Sequence, residues 1–88
     1  MPELREFIRD NLRSFVKDQR QKAQVPTDTL LNGYCLKEVE ESAEKIPCCD
    51  LMPILEQLAQ PQDLCDWWVN FQIQVYEIKT KGLAKGSF

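Results

Sequence analysis

The sequence predicts an all-α fold, a compact bundle of four helices with a short third helix. Three observations lead there. Apolar residues recur at helical spacing along most of the chain; prolines and capping residues divide that pattern into four runs; and strand-like alternation is confined to one stretch near the end. The 88 residues suffice for one domain and not two. With 43% apolar and 28% charged residues the composition is globular, not disordered. Residues 1–81 read as a single helical domain and residues 82–88 as a flexible C-terminal tail.

The first helix carries the clearest pattern. Leu4, Phe7, Ile8, Leu12, Phe15 and Val16 mark one apolar stripe. Pro2 suits the first helical position, Glu3 and Glu6 complement the positive end of the macrodipole, and Lys17, Arg20 and Lys22 complement the other. Pro26 stops it. Over residues 3–24 this helix would be about 33 Å long, more than a small domain easily covers. Its far half, from Phe15, is then expected either to be solvated or to pack on a second copy or partner.

Thr27 or Asp28 can cap a second helix, with Leu31, Cys35, Val39, Ala43 and Ile46 along one face. Asn32-Gly33 interrupts it and can mark a turn between two shorter pieces. Pro47 ends the run by disfavouring helical geometry at Ile46. Asp50 is the expected cap of the short third helix, in which Pro53 would fall in the first turn, where a missing amide proton is tolerated. Pro61 closes it, and Asp63 caps the fourth, with Leu64, Trp68, Phe71, Val75 and Ile78 on the inner stripe. Val69 to Val75 also alternate like a strand, so residues 69–79 can be read either way and an α+β fold with a C-terminal strand is the alternative. Lys79, Lys81 and Gly82 favour the helix.

Composition narrows the function classes. The chain has no histidine and only three glycines, so it has neither the commonest general base near neutral pH nor a phosphate-cradling loop. A cysteine nucleophile would lack its usual histidine partner. The expectation is therefore not an enzyme, with no cofactor. Cys35, Cys48, Cys49 and Cys65 lack the paired spacing of a zinc site, and adjacent cysteines bridge each other only with strain. They read as buried free thiols, with no metal. No apolar run approaches the roughly 20 residues that span a membrane. The acidic, amphipathic start lacks the features of a secretory signal, so a cytoplasmic or nuclear location is expected.

The net charge of −3 is unevenly spread. Residues 1–24 hold six basic and four acidic side chains, residues 25–78 two basic and ten acidic, and three lysines follow. Arg5, Arg9, Arg13 and Lys17 recur every four residues beside the apolar face of the first helix. Such a stripe suits an acidic partner surface or a phosphate backbone; it can also be a solvated face neutralised by Glu6, Asp10 and Asp18. Trp67 lies about 100° around the helix from Trp68, so it either covers a flank of the core or anchors a partner. The expected function is a small intracellular protein–protein interaction module: an adaptor, inhibitor or regulatory subunit that binds another protein, with a homodimer through the first helix as one arrangement. The contact residues are Arg5, Arg9, Arg13, Phe15, Lys17 and Trp67. The alternative is a nucleic-acid-associated regulator using the same stripe.

Overall fold

Helix α1, Leu4–Ala23, forms where the apolar stripe predicts it. Gln24 ends it with a left-handed φ of 57°. The amide of Val25 donates to the Arg20 carbonyl and that of Gln24 to the Gln21 carbonyl, both at 3.1 Å. This pair closes a helix C-terminus in the way usually associated with glycine at that position. The computed structural model describes the backbone of residues 4–87 and the side chains of residues 4–81, so the start signals at Pro2 and Glu3, and the side chains of the expected tail over residues 82–88, lie outside the described residues.

The second helix is shorter than the sequence predicts. Asn32 and Gly33 both take positive φ, 52° and 83°, the combination a tight two-residue hairpin turn requires. They join β1, Leu30–Leu31, to β2, Tyr34–Cys35, an antiparallel pair in which Leu30 faces Cys35 and Leu31 faces Tyr34. Neither Thr27 nor Asp28 caps a helix. Instead the Thr29 and Thr27 carbonyls accept the amides of Leu36 and Lys37, both at 2.9 Å, and so launch α2, Leu36–Ser42. A single 3-10 turn, Ala43–Lys45, leads to Pro47.

The helix starting there, α3 (Cys48–Leu58), has 11 residues against seven in α2, so the second helix and not the third is the short one. Pro47 holds the capping position, its carbonyl accepting the amides of Asp50 and Leu51 at 2.9 Å. Asp50 thus lies inside the first turn, and Pro53 lies in the second rather than the first. Pro61 does not close α3 but opens α4, Pro61–Ser87, as its first residue. Residues 69–79 are helical, which overturns the C-terminal strand. The alternation that suggested a strand has a physical source. Val69 and Ile73 fall on the outer face of α4, Phe71 and Val75 on the inner face, and two helical stripes interleaved in this way mimic a period of two.

Packing is concentrated at one end. Phe15 and Val16 of α1 meet Leu36 and Val39 of α2, Ala43, and Leu51, Ile54, Leu55 and Leu58 of α3. In the far half of α1 the molecule itself buries Phe15, Val16 and Gln19, so that face is not left for a partner, while Lys17, Asp18, Gln21, Lys22 and Ala23 are exposed, as expected of a solvated end. Helix α4 runs antiparallel to α1, with Lys22 paired to Asp63 at one end and Phe7 stacked on Phe71 at 5.9 Å near the other. It then continues well past Phe71, and the molecule measures 49 × 24 × 21 Å.

Ile54 is fully buried in this cluster, whereas Leu30 at the hairpin is 68% exposed. Ile54→Ala should lower unfolding free energy by about 2–5 kcal/mol, and Leu30→Ala should change it by no more than about 0.5 kcal/mol. Urea denaturation of the two variants checks the contrast.

Candidate functional site

The cationic stripe of α1 is divided among several tasks. Arg13 reaches over the 3-10 turn and donates two hydrogen bonds to Glu44, Nε to Oε2 at 3.1 Å and Nη2 to Oε1 at 2.5 Å. Arg20 makes the same forked contact with Glu40, at 3.0 and 3.3 Å. Both pairs join α1 to the α2 segment, and both acids lie far from their arginines in sequence. Arg9 contacts only its neighbour Asp10, on the exposed flank. Among the described residues Arg5 and Lys17 are exposed and make no ion pair. The expected partner-binding set is thus dispersed. Arg13 is a structural clamp, and Phe15 is buried with 7% exposure and cannot contact a partner.

Of the two readings of Trp67, packing on the core is the one observed. Trp67 faces inward, its ring 4.5 Å from Phe15 and 5.0 Å from Phe71, both stacked. Trp68, expected on the inner stripe, is 41% exposed. The inner stripe therefore reads Leu64, Trp67, Phe71. On the opposite side of α4, Val69, Ile73 and Tyr76 form a row at spacings of four and three, from 49% to 70% exposed. Sequence reasoning missed this row, and its signal was the strand-like alternation.

A groove opens beneath the first half of α1, at the edge of the core. Ile8 and Leu12 roof it, Leu51, Met52 and Leu55 of α3 form its floor, and Trp67, Trp68 and Phe71 form one wall around about 380 Å3 of almost wholly apolar space. Ile8 also borders a wider hollow of about 710 Å3 lined by Arg5, Arg9, Arg13 and Lys45, with Glu44 as its one carboxylate.

The cysteines are free thiols but not core residues. Cys48, Cys49 and Cys65 are exposed and Cys35 is half-buried, its thiol 3.2 Å from the Thr27 carbonyl. Cys48 borders the apolar groove, and Cys65 lies beside Met52 and Glu56 of α3. Among the described residues no three metal-ligating side chains come together, and no helix is long and apolar enough to cross a membrane. Tyr34 donates its hydroxyl to Asp50 at 2.9 Å, and this bond to the neutral phenol raises the tyrosine above its ordinary range. Compared with protein-family models, curated proteins and solved structures, the chain matches none.

The hydrogen bonds from Arg13 hold the Glu44 carboxyl below its ordinary value of 4.5, against the opposing effect of burial. A carboxyl lowered in the folded state stabilises above its unfolded pKa and stops doing so as pH falls through the folded value. Glu44→Gln should therefore be less stable than the parent at about pH 7, by roughly 1 kcal/mol or less for a partly exposed pair, with the difference shrinking as pH falls below the ordinary carboxyl range. Urea midpoints across this pH range measure this.

Proposed function

We propose that the chain is a small protein–protein interaction module, an adaptor, inhibitor or regulatory subunit, that contacts its partner through the outer face of α4. The observation that carries this reading is the exposed row of Val69, Ile73 and Tyr76, which lies opposite the face that packs on α1. It forms a contiguous exposed apolar row, the kind of surface that marks interaction sites on proteins. The stripe on α1 is a weaker surface, because Arg13 and Arg20 already hold carboxylates. The same engagement weakens the reading as a nucleic-acid-associated regulator, which needs those charges free for phosphates.

A second copy of the chain fits this face. Asp66 lies before the apolar row, and Lys79 and Lys81 lie after it. In an antiparallel pairing centred near Ile73, Asp66 of one copy approaches Lys81 of the other, twice by symmetry. A parallel pairing would instead set like charges side by side. Residues 62–81 offer a contact line of about 30 Å. The four cysteines remain free thiols, three of them exposed, which supports a reducing cytoplasmic or nuclear setting. The role is one of binding, not catalysis.

Sedimentation velocity over a concentration series should show a monomer–dimer equilibrium. Ile73→Glu should abolish it with helical circular dichroism unchanged. Asp66→Lys should weaken dimerisation about tenfold, and adding Lys81→Asp should restore it. A parent protein that stays monomeric throughout would exclude a second copy as the partner.

A further inference from the structure

We propose that the groove beneath the first half of α1 binds a free single-chain anionic amphiphile, of the fatty-acid class. The inference stands apart from the outer face of α4, since the groove opens between α1, α3 and the inner side of α4.

Ile8 borders both hollows: the inner one is almost wholly apolar, and the outer one, lined also by Leu4, carries the cations. The inner one, about 380 Å3, lies between Leu12, Leu51, Leu55 and the rings of Trp67 and Phe71. Its volume falls within the roughly 300–1,000 Å3 of small-molecule sites, and exchanging water for an apolar chain over such a lining is favourable. The outer one gathers four cations, of which Arg13 is held by Glu44 and Arg9 contacts Asp10. Arg5 and Lys45 are both exposed at its rim. A ligand matching both halves has an unbranched apolar chain and one negative headgroup: the chain lies against the tryptophan wall, and the headgroup meets Arg5 and Lys45 at the mouth. A partner helix does not fit, because with its side chains it is about 10 Å across and requires far more room than the inner hollow provides. A neutral apolar molecule would leave the cationic mouth unused.

Trp67 and Trp68 line the inner hollow and report on its filling. The full chain is titrated with dodecanoate and with dodecanol, each below the concentration at which it aggregates, while tryptophan emission is followed and stoichiometry is read by calorimetry. Dodecanoate should give a saturable change at one molecule per chain, with dodecanol about tenfold weaker. The exposed double substitution Arg5→Glu with Lys45→Glu should remove that preference while circular dichroism stays unchanged. Three results would overturn the proposal. One is no saturable change with dodecanoate. Another is equal affinity for acid and alcohol. The third is a response only to phosphatidylglycerol vesicles, which would mean a lipid surface and not a free amphiphile.

Discussion

The burial of one half of α1 organises the whole molecule. Phe15 and Val16 lie under Leu36, Val39, Ile54 and Leu55, and this cluster draws α2, the 3-10 turn and α3 around a single stretch of helix. Two forked arginine–carboxylate pairs, Arg13 with Glu44 and Arg20 with Glu40, bind the α2 segment to the same stretch from the outside. A chain of this length has too few apolar side chains to extend such a cluster along both long helices. The consequence is a molecule well packed at one end and sparsely covered at the other. The groove under Ile8 and the bare outer side of α4 are both products of that shortage.

Much of the helical framework can be read from residue order alone. The stripe from Leu4 to Val16 locates α1, and Leu51, Ile54, Leu55 and Leu58 locate the face of α3 that enters the core. The misreadings have specific causes. Asn32-Gly33 signalled a turn, yet the surrounding leucine, tyrosine and cysteine fitted a helical face equally well, so the hairpin did not stand out.

The candidate site was harder to read than the fold, for a physical reason. Acids near in sequence to the α1 stripe, Glu6, Asp10 and Asp18, were the visible candidates to neutralise it, while the acids that hold Arg13 and Arg20 come from the α2 segment, more than a dozen residues away. An ion pair between elements depends on how two surfaces meet, and residue spacing along one helix carries no record of that. The thiols show the same limit from the other side. Cysteine is among the residues most often buried, but the placement of Cys48 and Cys49 at the opening of α3 keeps both outside. What is functional here lies mostly in what the core leaves uncovered, and leftover surface is legible only after the packing is known.

The stacking of Trp67 between Phe15 and Phe71 has a consequence beyond its local contacts. A rigid helix transmits its rotational phase along its axis without loss, each residue turning a further 100°. By placing the first of two neighbouring tryptophans inward, these rings set the azimuth of every later position on α4, including Tyr76 about 13 Å farther along. Had Trp68 taken that slot, the helix would have rolled by one residue's angle and swung Val69, Ile73 and Tyr76 sideways out of their common outward bearing. The direction in which the far end of the molecule presents itself is thus decided at one aromatic joint near its root.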